Sequence, residues 1–358
     1  MIYAHAPINL VFNKNSENFF VEEIPLYSFD HTGEWLMLKV RKKDATTNDV
    51  VKLFSKLGIN KRDIGYAGLK DKDGLTLQWI SVPRKFRDRI NKFEHPKIKI
   101  VEQDLHRNKL KIGHLKGNRF FVRFKKVLPV DAKKIERVLI DIKKYGIPNF
   151  FGYQRFGKEG DNFEQAKEFI FGDKHIKDKR LQKLLISAYQ SKLFNDWLME
   201  RIKLSNVFDM RENELKLLGY EKELIKFVKK QKHPFKLLPG DVMCHYPFGK
   251  NFYLENFEDT ERFYKKDIVP TGLLPGKKAL RAKDMARDIE EKYDDLIPAN
   301  GDRRSAWIFP EITEKNYIKE KAWYEFSFIL PKGSYATVLT EIIKNGITDA
   351  LITYKGEK

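Results

Sequence analysis

A short loop rich in glycine and charge is the best candidate for catalysis in this sequence. It reads AGLKDKDGLTLQW from Ala67 onward and places Asp71 between Lys70 and Lys72. The two flanking ammonium groups would favour an ionised carboxylate, and an ionised carboxylate can attack an electrophilic sugar carbon. Glycines let a backbone approach a substrate closely, and catalytic groups favour loops held by rigid elements. Asp-Lys-Asp-Gly is also typical of an ordinary surface turn, so these residues alone leave both interpretations open.

Other patterns that could support catalysis match poorly. The segment GLLPGKK resembles a phosphate-binding loop, but only three residues separate Gly272 from Gly276, and Lys278 stands where a hydroxyl residue is needed. Eight histidines include no pair at ligand spacing beside a carboxylate. The single cysteine, Cys244, excludes an internal disulfide and a multi-thiolate metal site, and no serine lies in a nucleophile elbow. The sequence therefore predicts neither triphosphate, metal nor serine-nucleophile chemistry.

The segments around the loop predict an α+β fold. Apolar and polar residues alternate in strand-like fashion within 19–40, 77–82, 98–102 and 119–125. Thr46 or Thr47 is expected to cap a helix that ends at Gly58, and Asp131 to cap a helix stopped by Gly146. A further short helix is expected near Phe86. Strands interleaved with helices give an α+β class.

The pattern of apolar and polar residues changes after residues 148–157, PNFFGYQRFG. The pattern is mainly helical over 162–231, short strands and turns follow over 232–276, and another helix is expected near 277–293. Strand character returns at 322–330, followed by a helix after Gly333 and a final strand over 347–354. A chain of 358 residues suits about two domains. We therefore predict a second domain inserted into the first.

The charge balance favours a polyanionic partner. Lys and Arg number 69 against 50 acidic residues, which gives a net charge of +19. The excess is mixed with aromatic residues in HRNKLKIGHLKGNRFFVRFKK (106–126), a mixture that suits RNA because rings stack on bases while cations hold phosphates. Solvated lysine-rich faces are the alternative. No stretch approaches the roughly twenty apolar residues of a membrane helix, and the N-terminus lacks a secretory signal pattern, so we expect a cytoplasmic protein without membrane contact.

Five separated segments resemble the TruD family of tRNA pseudouridine synthases. They occur in the family's order and extend over nearly the whole chain. The segments are NFFVEEIP (18–25), GYAGLKDKDGLTLQWISVP (65–83), HRNKLKIGHLKGNRFFVRF (106–124), PNFFGYQRFG (148–157) with SAYQSKLFN (187–195), and LPKGSYATVLTEII (330–343). The resemblance implies a pseudouridine synthase catalytic domain with a mixed sheet and a central cleft over 1–157 and 302–358, interrupted by an inserted α/β domain over 158–301.

The resemblance also implies the chemistry. In the family the aspartate of the AG-x-KD core is catalytic, which corresponds to Asp71. The reaction breaks the bond between ribose and N1 of a uridine, turns the base and rejoins it through C5. A stacked uridine cannot present its sugar carbon to a buried carboxylate, so the nucleotide must be flipped out. No cofactor and no metal is expected. The carboxylate either adds to C1′ or abstracts a proton on the way to a glycal, and both routes stay open.

Further site residues carry over by position. Phe19 matches the family's pocket phenylalanine and is expected to stack on the flipped base or a neighbour, with core packing on a strand as the alternative. Asn118 is expected to hold the catalytic loop or bind the uracil edge, and Phe120 to wall the pocket. The ring of Tyr335 is expected near the reacting base.

Supporting residues follow from the same resemblance. Gln78 and Arg155 match further family positions. We expect these residues to support the catalytic loop and not to contact the substrate. Family members place a lysine upstream of the pocket phenylalanine, but here that position holds Asn13, with Lys14 adjacent. Either Lys14 takes the role of pairing with the aspartate, or another cation such as Lys70 does; we hypothesise Lys14.

The resulting functional prediction is isomerisation of uridine 13 in tRNA. The same chemistry on another RNA is one alternative, and a catalytically inactive RNA-binding protein on this scaffold is another. The intact AGLKDKDGLTLQ core argues against the inactive protein. A monomer is expected, since no pattern in the sequence demands a partner chain.

Overall fold

A computed structural model describes residues 3, 5–70, 72, 74–157, 159–173, 175–295 and 297–345. The predicted catalytic Asp71 and the predicted final strand over 347–354 lie outside the described residues. The α-helices are α1 Thr47–Lys56, α2 Arg87–Asn91, α3 Pro129–Tyr145, α4 Asn162–Ile170, α5 Lys179–Val207, α6 Glu212–Leu217, α7 Lys222–Lys230, α8 Glu258–Tyr264, α9 Asp284–Glu290 and α10 Ala336–Asn345.

The strands are interspersed with these helices along the chain. They are β1 Phe19–Pro25, β2 Trp35–Lys43, β3 Gly65–Tyr66, β4 Leu75–Pro83, β5 Ile98–His106, β6 Leu115–Phe124, β7 Ile147–Pro148, β8 Val242–His245, β9 Asn251–Tyr253, β10 Ile268–Leu274, β11 Asp302–Ser305, β12 Trp307–Ile308, β13 Glu311–Ile318 and β14 Trp323–Pro331. The mixture of elements confirms the predicted α+β class.

The chain forms two compact units. One, the sheet unit, comprises residues 9–136 and 310–333, and the other, the helical unit, comprises residues 1–8, 137–309 and 334–358. Both units are discontinuous in sequence, in line with a chain that leaves one unit and later returns to it. The units divide the chain at other residues than the predicted domains, 1–157 with 302–358 and 158–301. Compactness alone does not locate the ends of an insertion, so that division stays a prediction.

The sheet unit is built on one mixed sheet of eight strands. Its order is β13-β14-β6-β1-β4-β2-β5, with β3 added beside β4. The two central strands β1 and β4 are parallel, and Phe20 lies opposite Leu75. All other neighbours are antiparallel. A parallel pair needs a long crossover, and here the crossover carries β2, α1 and the AGLK loop back to the middle of the sheet.

Alternation along the strands gives the sheet two chemically different faces. On one face the inward residues of β2 and β4 pack with α1, forming a core that includes Leu38, Val50, Phe54 and Ile80. The buried alternate residues of β6 and β14 continue this face, with Phe124 opposite Tyr324. We call it the inner face. The residues between them point to the opposite, outer face because side chains alternate along a strand.

The helical unit combines a long helix with small sheets. Helix α5 has 29 residues, and its buried residues, from Leu185 to Ser205, lie around most of the helix circumference. The strands β11-β10-β8-β9 form a four-stranded sheet, and β12 pairs with β7. A buried bidentate ion pair joins the two parts, since Arg201 of α5 donates to both carboxylate oxygens of Asp241 at 2.6 and 2.9 Å.

Several predicted elements needed correction. The edge strand β13 was not predicted, because its residues EITEKNYI are mostly exposed and charged and so lack the alternation of a half-buried strand. Helix α3 begins at Pro129, before the expected cap Asp131, since proline suits the first turn of a helix. Helix α8 lies in a region expected to hold only strands and turns. The helix expected over 277–293 is shorter, as α9 covers Asp284–Glu290.

His233 is a buried, neutral member of the helical unit. The N–H of Phe235 donates to Nδ1 at 3.0 Å, which leaves Nε2 to donate to the carbonyl of Tyr145 at 2.8 Å. Burial lowers the pKa of His233 to about 4, because the charged imidazolium would lose its hydration. Both ring nitrogens are therefore satisfied in the neutral form.

This histidine makes stability depend on pH. Its pKa is lowered on folding, so between pH about 6.5 and about 4 the unfolded chain binds more protons, and stability falls as the pH falls through that window. The contribution reaches up to about 3 kcal/mol at the acid end. We expect the thermal unfolding midpoint, followed by circular dichroism, to drop more between neutral and acidic pH in the wild type than in His233→Gln. The exposed His175→Gln should keep the wild-type slope; equal slopes in all three proteins would contradict the assignment.

Candidate active site

The start of α1 anchors the candidate catalytic loop. Thr46 and Asp49 form a capping box, in which the Asp49 N–H donates to Thr46 Oγ1 at 3.1 Å and the Thr46 N–H donates to the Asp49 carboxylate at 2.8 Å. The hydrogen bonds that the Thr46 N–H and the Thr46 hydroxyl donate to the carboxylate lower the pKa of Asp49. The cap fixes the next residue, Thr47, whose hydroxyl accepts from the N–H of Lys70 at 2.9 Å. The loop is thereby held at the residue directly before Asp71.

A buried glutamine holds the same loop slightly earlier in sequence. Gln78 of β4 is fully buried, and its Nε2 donates to the carbonyl of Gly68 at 2.7 Å. Its Oε1 accepts from the Thr47 hydroxyl at 2.9 Å. Both ends of the amide are thus engaged with the backbone or the anchor of the loop, an arrangement that suits the supporting role expected of Gln78.

An ion pair buried in the sheet holds the Lys70 side chain. Its Nζ lies 2.8 Å from Glu23 Oε1, and the side chains of Glu23 and Lys70 are only 1% and 13% exposed. The second carboxylate oxygen of Glu23 accepts from the N–H of Trp79 at 3.1 Å. Burial raises the pKa of Glu23, and the nearby ammonium of Lys70 opposes this rise. Glu23 is therefore an acid that depends on Lys70 for its charge, and Lys70 is fixed in return.

Aromatic rings line the inner face beside the loop. Phe19 and Phe120 are 5% and 7% exposed, and their ring centres lie 6.0 Å apart. The Phe328 ring stacks on the Phe120 ring, with the ring centres 5.3 Å apart. Gly74, at the far end of the loop, has φ +100°, and a Cβ there would come within 3.0 Å of the Phe19 ring and carbonyl oxygen. Glycine suits this close approach and the positive φ, so the backbone at Gly74 packs directly on Phe19.

Two polar side chains complete the group. The Nζ of Lys14 lies 5.4 Å from the centre of the Phe19 ring. Asn118 lies opposite Glu23 on the neighbouring strand, and its Oδ1 is buried without a hydrogen-bond partner among the described residues. Buried acceptors are nearly always paired in native proteins, so this oxygen is suited to a donor that the described part of the chain does not supply.

Arg155 and Tyr335 belong to the helical unit and are described there. The guanidinium Nε of Arg155 donates to Ser191 Oγ at 3.1 Å, and its guanidinium carbon lies 5.6 Å from the centre of the Phe151 ring. The Tyr335 ring centre lies 6.1 Å from that of Phe151. A Cβ on Gly152 would meet Tyr335 at 3.0 Å, so the glycine allows the tyrosine to approach the backbone closely.

The segment PNFFG is held by side-chain amides and an arginine. Asn195 donates to the carbonyl and accepts from the N–H of Phe151, both at 2.9 Å. Arg304 stacks on the Phe151 ring at 3.9 Å and donates to Asn149 Oδ1 at 2.9 Å. Burial lowers the pKa of Arg304 to about 10. The motifs 148–157 and 187–195, separate in sequence, thus form one hydrogen-bonded cluster.

The sequence identified most of the residues around the loop but missed two. Phe19, Phe120, Asn118, Lys14, Lys70 and Gln78 come together there in the sheet unit. Glu23 and Thr47 were not among the predicted site residues. Glu23 carried a readable signal, since it alternates with Phe19 and Val21 on a central strand, where an inward carboxylate requires a partner. Thr47 carried none beyond its place at a helix start.

The described residues show neither a membrane span nor a metal-binding cluster. No helix in the described ranges is long and apolar enough to cross a membrane. The same part of the chain contains no group of three or more His, Cys, Asp or Glu side chains placed to hold a metal ion.

Comparison with known proteins places the chain in a family. The family model for tRNA pseudouridine synthase D (TruD) matches residues 1–177 and 174–342. The tRNA pseudouridine synthase D of Nitratiruptor sp. is 53% identical, covering 95% of this chain and 96% of the relative, and that of Wolinella succinogenes is 51% identical over 94% and 95%. A crystal structure of a putative TruD from Methanosarcina mazei has a TM-score of 0.70 at 19% identity, covering 98% and 97%, and supports the fold alone. The chain therefore belongs to the tRNA pseudouridine synthase D family and is an enzyme of the pseudouridine synthase class.

Proposed function

We propose that this protein isomerises uridine 13 of tRNA to pseudouridine, with Asp71 attacking the ribose of a flipped-out nucleotide. In the overall reaction the N1–C1′ bond breaks, a C5–C1′ bond forms, the proton on C5 leaves and N1 gains a proton. Atoms and electrons balance without an external oxidant or reductant. The protein is proposed to act as a cytoplasmic monomer.

One observation carries the proposal: Lys70 and Gly74, which flank Asp71 in sequence, are both fixed to the sheet unit. Lys70 is held by Thr47 and Glu23, and Gly74 packs on Phe19. Phe19 and Phe120, which are 5% and 7% exposed, form a buried aromatic wall beside these anchors. A surface turn of the same sequence would not need such anchoring.

The remaining site residues have proposed roles of their own. Asn118 Oδ1, which has no partner among the described residues, suits the N3–H of uracil. From the family resemblance, Arg155 is proposed to have a supporting role, and Tyr335 to place its ring near the reacting base. These assignments extend the proposal beyond Asp71 itself.

The choice of substrate rests on a narrower basis. The relatives carry the name tRNA pseudouridine synthase D, and the net charge of +19 suits any folded RNA. The same site acting on messenger or ribosomal RNA is the second candidate, favoured by nothing specific in the residues. Both routes, addition to C1′ and passage through a glycal, begin from the same ionised carboxylate beside the ribose.

Replacing Asp71 by asparagine tests the central role. Asp71→Asn keeps the shape of the side chain but removes the carboxylate, so we expect pseudouridine formation to fall by at least about three orders of magnitude. Carbodiimide-primer-extension mapping on a tRNA transcript, and on total RNA, reads the product. Asp73→Asn in the same loop is the matched control and should remain active. Modification that survives in Asp71→Asn removes Asp71 as nucleophile, whereas modification only outside tRNA removes the substrate assignment.

The Glu23–Lys70 pair predicts a positioning role for Glu23. Glu23→Gln leaves the Lys70 ammonium without its anion, and we expect the rate at saturating enzyme to fall about 100-fold while tRNA affinity is unchanged. Breaking a buried pair also costs about 3 kcal/mol of stability, so melting curves must accompany the kinetics. Glu22→Gln is the matched control: this glutamate is next in sequence but points to the outer face, where it pairs with Lys39 at 2.9 Å. Equal rates in the two variants would contradict the role.

The identity of the cation that assists Asp71 can be decided by comparison. Lys70 is already paired with Glu23, so we propose that Lys14, above the Phe19 ring, stabilises the ionised Asp71. We expect Lys14→Ala to slow the reaction about 100-fold and to move the acidic limb of the pH–rate profile to higher pH, because the carboxylate would then ionise less readily. Lys14→Arg should restore part of the rate. An unimpaired Lys14→Ala would remove the assignment.

A further inference from the structure

A cluster of cations surrounds a single tryptophan on the outer face of the sheet. The guanidinium carbon of Arg123 lies 4.4 Å from the Trp323 ring centre, and the ammonium groups of Lys321 and Lys125 lie at 4.8 and 5.6 Å. Trp323 and Lys125 are partly exposed, and Lys321 is exposed. We call Trp323, Arg123, Lys125 and Lys321 the Trp323 patch. All of its members lie in the sheet unit.

The patch faces away from the candidate active site. Along β6, Asn118, Phe120, Val122 and Phe124 point to the inner face, so Arg123 points to the outer one. On β14, the fully buried Tyr324 lies opposite Phe124, which places its neighbour Trp323 on the outer face as well. The contacts of Arg123 and Lys125 with Trp323 agree with this assignment. The patch is therefore separate from the group around Phe19.

A strip of partly exposed aromatic residues continues from the patch across the sheet. The Arg123 guanidinium carbon also lies 5.7 Å from the centre of the Phe121 ring, and Phe121 lies opposite Phe20 of β1. Phe20 and Phe121 are partly exposed. Partly exposed rings on adjacent strands, with an arginine close to two of them, form the kind of surface on which RNA-binding sheets stack unpaired bases.

The charges of the patch are only partly balanced by the protein. Arg123 pairs with Glu325 at 2.6 Å, and Lys125 lies 3.8 Å from Glu17, a side chain that is 72% exposed. Among the described residues, Lys321 has no carboxylate within ion-pair distance. Like charges gathered within about a Debye length, roughly 8 Å, repel one another with little screening. A cation–π contact to one ring offsets only part of this repulsion, so the site is suited to an anion with a stackable group.

We infer that the Trp323 patch binds unpaired nucleotides of the substrate RNA, with bases stacked on Trp323 and Phe121 and phosphates held by Lys125 and Lys321. This rests on the proposed function only in taking RNA as the substrate. The patch lies on the face opposite Phe19 and Phe120, so it contributes to affinity and leaves the chemical step unaffected. An acidic protein partner would satisfy the lysines but has no need for exposed rings between them.

The salt dependence of RNA binding tests the inference. The probe is an unmodified tRNA transcript containing uridine 13, with Kd measured by filter binding over a series of KCl concentrations. We expect Lys125→Gln/Lys321→Gln to reduce the slope of log Kd against log salt by about 2, one for each phosphate that is no longer neutralised. Trp323→Leu should weaken binding about tenfold with the slope nearly unchanged, because stacking carries no charge.

Matched controls separate this site from general electrostatics. Lys92→Gln/Lys97→Gln removes the same charge from exposed lysines of the same unit and should leave the slope at the wild-type value. All variants should melt like the wild type and keep its rate at saturating enzyme. A patch variant that binds RNA like the wild type, or no more weakly than the control variant, overturns the inference and leaves the patch to a protein partner. Wild-type protein that modifies no uridine in tRNA would instead refute the proposed function.

Discussion

The ion pair between Glu23 and Lys70 is the constraint on which the candidate active site depends. Removing two charges from water costs several kcal/mol per ion, and only close contact with additional hydrogen bonds recovers it. Here the two side chains meet at 2.8 Å, and the backbone of Trp79 supplies a further donor to the carboxylate. Glu23 and Trp79 belong to the two parallel strands at the centre of the sheet. The carboxylate and its backbone donor can therefore move only if the sheet itself moves. Lys70, the residue next to Asp71 in sequence, is thereby fixed to the sheet.

The pleat of the sheet lets one set of strands do two different things. On β1, Phe19, Val21 and Glu23 point inward, and Phe20 and Glu22 point outward. The inner residues hold the loop and the aromatic wall, whereas the outer residues belong to a surface of partly exposed rings and ion pairs. A one-residue slip in register would exchange the two faces. The long ladder between β6 and β14, from Phe124–Tyr324 to Gly117–Pro331, is therefore as important to the site as any single side chain.

Much of this could be predicted from the sequence, and the exceptions have physical reasons. The sequence pattern located the strands within 19–40 and 77–82 because each has a buried face. The cap, predicted at Thr46 or Thr47 from residue type, is Thr46. The edge strand β13 could not be predicted from alternation, because its residues are suited to solvent and not to a core. Lys70 is one of the two cations that the sequence offers as a partner for Asp71, the proposed nucleophile, and the structure pairs it with Glu23, a long-range contact that residue spacing does not encode. The same holds for Arg304, whose contact with Asn149 joins positions 155 residues apart.

The buried ion pairs also bear on where the net charge of +19 is located. Each ion pair inside the protein contains one cation and one acid, as in Glu23 with Lys70 and Arg201 with Asp241. Such pairs therefore leave the surplus of Lys and Arg unchanged. Apart from buried cations such as Arg304, that surplus is left for the surface, where it weakens the folded state through self-repulsion. Phosphates condense counterions that are released when lysines and arginines replace them, so RNA relieves the repulsion at the same positions. The proposed chemistry brings one carboxylate close to RNA, itself an anion. An enzyme of that kind gains most if its cations are dense close to the carboxylate and along the surface that receives the rest of the RNA.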